Sequence, residues 1–223
     1  MRSVRQHVNP LGLNFQTPRS DRYTRPEEIL REAPLEVELG CADAQFAFEL
    51  ARRFPDRPVV GLEIRDKVVE INRTRAAREG LSNLYFGYVN LNVDLDRVFA
   101  ESEVDRFHLL FPDPWFKARH QKRRVVDFQL CEVLATQLKV GGEVHFASDV
   151  FEIALDAMEV FEAPQVVDLG FKNIVEPWKF SRTNPTGIRS KREQTTIARG
   201  QRVWRLRYRY EATEHAAAGA GLP

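Results

Sequence analysis

Cysteine is scarce in this chain of 223 residues. Only Cys41 and Cys131 are present and no C-x-x-C motif occurs, which argues against a disulfide scaffold and favours a reducing cytoplasm. The five histidines are scattered without metal-ligand spacing, so we predict no metal site. No apolar run is long enough to span a membrane, and the N-terminus has no apolar signal segment. These absences predict a cytoplasmic protein that does not associate with membranes.

A large excess of charge of one sign is also missing. Lys and Arg number 33, Asp and Glu number 32, and the formal net charge is +1. The chain is therefore not a polycation, and any binding to nucleic acid must depend on local clusters of basic residues. One cluster occupies residues 117–124, directly behind the sequence F-P-D-P-W. Such a run is often a solvated face, but its position beside Asp113 favours phosphate contacts by Arg119, Lys122, Arg123 and Arg124.

Residues 1–33 lack periodicity and contain several arginines and prolines. We interpret them as a basic N-terminal arm, with a short helix expected over residues 26–32. Two interpretations remain open, a solvated and partly disordered terminus or an arm that lies on a phosphate backbone. Residues 34–211 form the predicted domain, and the Ala- and Gly-rich residues 212–223 are expected to be a disordered tail.

Alternating and apolar segments predict seven strands. Their expected ranges are residues 35–39, 58–63, 83–89, 104–111, 143–147, 165–169 and 202–210. Helical spacing of apolar residues predicts helices over residues 44–54, 66–79, 95–101, 126–138, 150–162 and 191–199, with Asp66 as a cap and Gly80 just past the second helix. We expect an α/β fold with a mostly parallel sheet covered by helices on both faces, and His108 and His145 in its core.

Polar residues lie at the carboxyl ends of the predicted strands. They are Glu38, Glu63, Asn90, Asp113 and Asp149. In a parallel sheet these ends share one edge, and ligands bind at that edge near the topological switch point. Glu63 could accept hydrogen bonds from both hydroxyls of a ribose, and Asn90 could meet an adenine amine. The alternative is that these are solvated strand ends.

The turn after the first strand keeps only one glycine, Gly40, with Ala42 and Ala44 behind it. A dinucleotide site needs G-x-G-x-x-G so that the backbone can approach a pyrophosphate. The turn therefore counts against a nicotinamide cofactor and favours a nucleoside cofactor without a pyrophosphate. Two further motifs, at residues 149–152 and 190–193, fit a helix capping box and have a purely structural interpretation as well.

The sequence F-P-D-P-W-x-K-x-R-H-x-K-R-R at residues 111–124 is the most specific motif in the chain. Four shorter motifs flank it, two on each side. They are E-L-G at 38–40 and G-L-E-I at 61–64 before it, and A-S-D at 147–149 and S-K-R-E at 190–193 after it. In these motifs the chain resembles the bacterial tRNA (guanine-N7)-methyltransferases, and the similarity covers about residues 35–210.

The resemblance implies a Rossmann-like class I methyltransferase fold with a mostly parallel seven-stranded sheet. It also implies methyl transfer from S-adenosylmethionine, leaving S-adenosylhomocysteine, to N7 of a guanine in the variable loop of tRNA. Carried over by position, the cofactor site is lined by Glu38, Gly40, Glu63, Asn90 and Asp113, and Asp113 is also the catalytic position. The substrate-facing residues are Lys117, Asp149, Ser190, Lys191, Arg192 and Glu193.

Guanine N7 carries a free lone pair at neutral pH, so no base must deprotonate it and catalysis is expected to be mostly positioning. A carboxylate can accept hydrogen bonds from the guanine N1 and N2 edge and offset positive charge on the ring. Asp113 is the first candidate for this role and Glu193 the second. Trp115 could stack on a base, or it could be a packed core indole.

The sequence departs from the family pattern at several positions. Ala42 and Ala44 occupy positions where the family usually has glycines, and Asn90 occupies one where it commonly has Asp. Ser190 replaces the Thr of the family's T-x-x-E motif. The alternatives are a methyltransferase acting on an exocyclic amine of a base, a nicotinamide oxidoreductase, and an RNA-binding homologue without activity. A monomer and a homodimer both remain open.

Overall fold

The computed structural model describes residues 8–25, 32–113 and 126–211. One seven-stranded sheet runs through this part of the chain. Its strands are β1 (Glu36–Leu39), β2 (Val59–Glu63), β3 (Leu84–Tyr88), β4 (Val104–Leu110), β5 (Leu138–Ser148), β6 (Phe171–Asn173) and β7 (Trp204–Tyr210). The spatial order is β3-β2-β1-β4-β5-β7-β6, with β1 to β5 parallel and β7 antiparallel to both of its neighbours. The predicted α/β fold is confirmed.

The chain reverses its direction of travel across the sheet between β1 and β4. It builds β1, β2 and β3 outward on one side, then returns to place β4 and β5 on the other side of β1. The loops that follow β1 and β4 therefore diverge and leave a crevice at the carboxyl edge of the sheet. The register pairs Leu39 with Leu62 on one side and with Leu109 on the other, so the three strands end close together.

The described residues contain six α-helices: α1 (Gln45–Arg53), α2 (Asp66–Glu79), α3 (Phe128–Gln137), α4 (Phe151–Phe161), α5 (Pro164–Asp168) and α6 (Lys191–Ala198). Short 3-10 turns occupy Leu13–Phe15 and Leu95–Arg97. Gly80 adopts φ +68° directly after α2, as a glycine past a helix end does. No helix in the described part of the chain is long and apolar enough to cross a membrane.

The two faces of the sheet carry different apolar clusters. Along β1, Val37 and Leu39 join a cluster with the inward side chains of α3 and α4. Because successive residues of a strand point to opposite faces, Glu36 and Glu38 face the other side. There the backbone of α1 lies against Glu38, and a second cluster holds side chains of α1 and α2. Helices therefore cover both faces, as expected.

The opposite face also buries a polar network. Glu36 is fully buried and accepts hydrogen bonds from Arg106 (2.6 Å) and Arg57 (3.4 Å), and it lies 2.8 Å from His108 Nε2. Burial opposes ionisation of Glu36, but the His108 and Arg106 contacts outweigh it and lower the pKa to about 2. His145 is buried beside His108 with its ring centroid 5.0 Å away, which confirms both histidines as core residues.

Several local predictions were wrong. Residues 165–169 lie mostly in helix α5 rather than in a strand, since Pro164 occupies the first turn of that helix and the sixth strand follows at Phe171–Asn173. Strand β5 begins before the Gly141-Gly142 pair, with a shift of register against β4. Only Leu95–Arg97 of the helix expected over 95–101 forms, as a 3-10 turn. Asp66 is the first residue of α2, and its cap, Arg65, makes no side-chain capping bond. The helix expected over 26–32 lies almost wholly outside the described residues.

Gly61 of β2 packs closely against Phe86 of β3. A Cβ at this residue would lie 2.5 Å from Cε1 of Phe86, whereas a Cβ at Gly87 would lie 3.2 Å from the tip of Leu62. We expect Gly61→Ala to destabilise the fold by about 1–3 kcal/mol, because a buried aromatic ring must shift, and Gly87→Ala to cost less. Urea unfolding of both variants measures this, and equal losses would contradict the packing argument.

Candidate active site

Glu38 places a buried carboxylate beneath the turn that joins β1 to α1. Its Oε2 accepts a hydrogen bond from the backbone N–H of Ala47 at 3.1 Å, which fixes the side chain against the first turn of the helix. Burial raises the pKa of Glu38 to about 8, against the Ala47 hydrogen bond, and the charges of Asp43 and Glu63 raise it further. A cation placed beside this carboxylate would offset the cost of its charged form.

Glu63 ends β2 and accepts four hydrogen bonds. Oε2 accepts from the N–H of Ala42 at 3.0 Å and from Nη2 of Arg65 at 2.9 Å. Oε1 accepts from the backbone N–H of Arg65 at 3.1 Å and from its Nε at 2.9 Å. A carboxylate offers about four acceptor positions, so all of them are used. Ligand hydroxyl groups that bind Glu63 must therefore displace some of these donors. The guanidinium of Arg65 is the donor that can move away, because the others are backbone N–H groups.

The turn after β1 holds two alanines in the left-handed region. Gly40 has φ +70°, Ala42 φ +47° and Ala44 φ +53°. Glycine adopts these angles at no steric cost, whereas the Cβ of alanine is strained there. The turn is held by Ala42, whose N–H donates to Glu63 and whose carbonyl accepts from Asn72 Nδ2 at 2.8 Å. The backbone thus keeps the glycine-type conformation without the glycines.

Asn90 lies just past β3 and is buried. Its Nδ2 donates to the carbonyls of Pro10 at 2.9 Å and Phe15 at 2.8 Å, while its Oδ1 accepts from the N–H of Asn92 at 3.1 Å. The predicted position at the strand end is thus confirmed. Both amide hydrogens, however, are directed to the N-terminal segment.

Asp113 follows β4 through a strained residue. Phe111 has φ +54° although it is bulky and precedes Pro112, and its N–H donates to the carbonyl of Ala147 at 2.7 Å. Strain of this kind persists only where the surroundings enforce it, and it is often found at functional sites. Asp113 itself is exposed. The Glu63 hydrogen bonds raise the pKa of Arg65, and the charges of Glu63 and Asp113 add to that rise, which places Asp113 near the Glu63–Arg65 pair.

The N-terminal end of α6 is joined to the carboxyl edge by ion pairs. Asp149, just after β5, accepts from Arg192 Nε at 2.7 Å and from Thr196 Oγ1 at 3.3 Å. Lys191 Nζ lies 3.8 Å from Asp43 in the turn before α1. The capping-box interpretation of residues 149–152 is wrong, because the capping residue of α4 is Val150 and no side chain caps that helix. Asp149 instead fixes α6.

The segment 190–193 divides into a structural and an exposed part. Ser190 caps α6 through its Oγ, which accepts from the N–H of Glu193 at 3.2 Å, so the capping interpretation is confirmed for this motif. The carboxylate of Glu193 is buried, forms an ion pair with Arg205 and accepts from Asn184 Nδ2 at 3.2 Å. Lys191 remains exposed at the helix end. Of the two candidate carboxylates, only Asp113 is exposed to an incoming base.

The basic cluster and the indole lie outside the described residues. This applies to Trp115, Lys117, Arg119, His120, Lys122, Arg123 and Arg124. Their expected roles stay predictions. Among the residues that are described, no group of three or more His, Cys, Asp or Glu side chains is arranged to hold a metal ion.

Comparison with known proteins decides the family. A family described as "Putative methyltransferase" matches residues 32–206. A tRNA (guanine-N(7)-)-methyltransferase of Thermosynechococcus vestitus is 36% identical over 210 residues, covering 92% of this chain and 93% of the relative. One of Synechococcus elongatus is 40% identical over 163 residues, covering 72% and 76%. The chain belongs to the tRNA (guanine-N(7)-)-methyltransferase family.

Two solved rRNA methyltransferases share the fold. The 16S rRNA methyltransferase KamB superposes with a TM-score of 0.58 at 18% identity, covering 86% of this chain and 99% of KamB. A point mutant of the 16S rRNA (adenine(1408)-N(1))-methyltransferase from Catenulisporales acidiphilia, solved with its cosubstrate SAM, gives 0.55 at 18% identity, covering 81% and 87%. At this identity the likeness establishes the class I methyltransferase fold of this family member.

Sequence reasoning missed several residues that hold the candidate site together. Arg65 could have been found, because an arginine two residues after a buried strand-end acid is a natural partner for it. Asp94, Asn184 and Arg205 act through contacts between distant segments. No local pattern marks them.

The two alanines of the turn allow a matched test of its strain. Ala42→Gly is expected to stabilise the protein by about 0.5–1 kcal/mol, because it relieves a left-handed alanine that is only half-buried. Ala44→Gly relieves the same strain but removes a fully buried methyl group, so we expect little net change. Urea unfolding checks both, and a destabilised Ala42→Gly variant would contradict the strain argument.

The raised pKa of Glu38 predicts a dependence of stability on pH. The folded pKa of about 8 exceeds the ordinary 4.5, so the folded state binds the proton more tightly. This contribution is fully present below pH 4.5 and is lost as pH rises through 8. Between pH 5 and pH 9, wild type should lose on the order of 1–3 kcal/mol more than Glu38→Gln, measured by urea unfolding. Parallel pH profiles would contradict the assignment.

Proposed function

We propose that this protein transfers a methyl group from S-adenosylmethionine to N7 of a guanine in the variable loop of tRNA, in the cytoplasm. The observation that carries the proposal is the meeting of Glu38, Glu63 and Asp113 at one crevice, in a chain whose relatives bear the name of this reaction. The cofactor supplies an electrophilic methyl group on a sulfonium sulfur.

The buried carboxylates fit the two polar ends of this cofactor. Glu63 would hold the ribose hydroxyls, which replace the Arg65 guanidinium as hydrogen-bond donors. Glu38 and the turn at Gly40 would hold the methionine end, since its ammonium group offsets the cost of a charged Glu38. The turn lacks the glycines that a pyrophosphate requires, which weighs against a nicotinamide cofactor.

Asp113 is proposed as the catalytic residue. It is exposed, and the strained backbone at Phe111 places it beyond the end of β4. Its carboxylate would accept hydrogen bonds from the N1 and N2 edge of guanine and thereby orient N7 without removing a proton from it. Lys191 and Arg192, together with Lys117 and the basic cluster at residues 119–124, are proposed to contact the tRNA.

The reaction is tested by incubating the protein with unmodified tRNA and S-adenosylmethionine. The methyl group is then mapped by borohydride and aniline treatment, which cleaves RNA at N7-methylguanine. We expect cleavage at one guanine of the variable loop. Methyl incorporation without cleavage would favour an exocyclic amine as the target, and tRNA binding without incorporation would favour an inactive homologue.

Replacement of Asp113 separates catalysis from binding. Asp113→Ala is expected to lower the rate of methyl transfer at least ~100-fold, because the guanine edge loses its acceptor, while tRNA affinity stays within about twofold. Glu159→Ala, which removes an exposed carboxylate on α4, is the matched control and should change neither quantity. An Asp113→Ala variant that keeps its turnover would sink the catalytic assignment.

A further inference from the structure

We call residues 8–25 the strap. Its part up to Ser20 lies against the carboxyl edge of the sheet, and its last residues continue past Tyr85 and Val98. Two polar residues after β3 hold it. Asn90 donates both amide hydrogens to carbonyls of the strap, at Pro10 and Phe15, over 2.9 and 2.8 Å. Asp94 accepts from the N–H groups of Arg19 at 2.8 Å and Ser20 at 2.9 Å.

These two residues also hold each other. The N–H of Asn90 donates to Oδ1 of Asp94 at 2.8 Å, which leaves Oδ2 for the strap. Both side chains are buried, so water cannot easily substitute for a lost partner. The hydroxyl of Ser20 donates to the Asp94 carbonyl at 3.0 Å. The strap is thus fixed by five hydrogen bonds to two buried residues.

A second set of contacts attaches the strap through Arg19 and Tyr23. The guanidinium of Arg19 lies 4.3 Å from the ring centroid of Tyr88, and its Nη2 lies 3.0 Å from Asp66 at the start of α2. Tyr23 continues the attachment, because its N–H donates to the carbonyl of Val98 at 2.7 Å. These contacts attach the strap to β3, α2 and the segment that follows β3.

The strap lies beside the proposed ribose site. Asn90 is two residues past Tyr88, which pairs with Glu63 in the register of β2 and β3, and the N–H of Val89 donates to the Glu63 carbonyl at 3.1 Å. The strap turn at Leu13–Phe15 also presents an apolar side chain, since Leu13 is 91% exposed. Apolar surface next to a ribose site can pack against a flat purine ring.

We propose that the strap forms one wall of the adenine end of the cofactor site, and that Asn90 is a positioning residue that builds this wall by clasping the strap. This inference rests on the proposed function, because it assumes that the cofactor binds at Glu63. Asn90 suits the task chemically, since its amide supplies two donors to two carbonyls. A carboxylate of the same shape has no donor and would set its charge against both carbonyl oxygens.

The test compares Asn90→Asp with Asn92→Asp in the full chain. Both variants add one negative charge, but the side chain of Asn92 is exposed, and the contact of this residue with Asn90 is made by its backbone N–H. Hydrogen–deuterium exchange of the peptide 8–25 reports attachment of the strap, and calorimetry with S-adenosylhomocysteine reports cofactor affinity. We expect Asn90→Asp to speed exchange and weaken affinity at least tenfold each, and Asn92→Asp to change both less than twofold.

Two results would overturn the inference. Faster exchange with unchanged affinity would mean that the strap is no part of the site. Weaker affinity with a protected strap would mean that Asn90 acts on the cofactor directly.

A second variant is used if Asn90→Asp does not fold. Arg19→Ala removes the exposed contacts of the strap and should increase the exchange rate and weaken cofactor affinity two- to fivefold each. No change in either quantity would count against the clasp. If the wild-type protein binds S-adenosylhomocysteine but does not methylate tRNA, the proposed function is refuted. The inference about the strap would still be decided by the exchange and affinity measurements.

Discussion

The hydrogen bonds to the carboxylate of Glu63 hold together the loops at the carboxyl edge of the sheet. It joins the turn after β1, through the N–H of Ala42, to the start of α2, through the backbone and guanidinium of Arg65. Burying a carboxylate is costly unless several donors surround it, so the loops must close around it. Arg65 carries the influence further, because Asp113 lies close enough to raise its pKa. Glu63 and its partner Arg65 thus connect the segments that follow β1, β2 and β4.

The outer strands complete the edge by the same chemistry. Beyond β3, Asn90 and Asp94 bind the N-terminal residues, and beyond β5, Asp149 binds Arg192 of α6. Each polar residue stands where a strand has ended and the backbone needs new partners. The edge therefore has a crevice with two buried carboxylates, Glu38 and Glu63, at its centre and the basic start of α6 at one side. This division matches the proposed roles of the two regions, with the cofactor at the crevice and the tRNA at the helix end.

The fold and the central acids could be predicted because they follow from local patterns. Alternation of strands and helices predicted the parallel sheet, and the strand-end rule placed Glu38, Glu63 and Asp113 at one edge. The segment 165–169 was misassigned because Q-V-V-D-L has strand composition, while Pro164 starts a helix there. The clasp between Asn90 and Pro10 joins residues 80 positions apart, so no local pattern could reveal it. The left-handed backbone angles of Ala42 and Ala44 are likewise imposed by the turn. They could not be predicted from the residue type, since alanine rarely adopts a positive φ.

A crystal structure of the protein with S-adenosylhomocysteine tests the central claim most directly. We predict that the ribose hydroxyls bind the Glu63 carboxylate in place of the Arg65 guanidinium, with the amino-acid end of the ligand beside Glu38. A ligand bound elsewhere, or a Glu63 that keeps both bonds to the guanidinium of Arg65 in the complex, would contradict it.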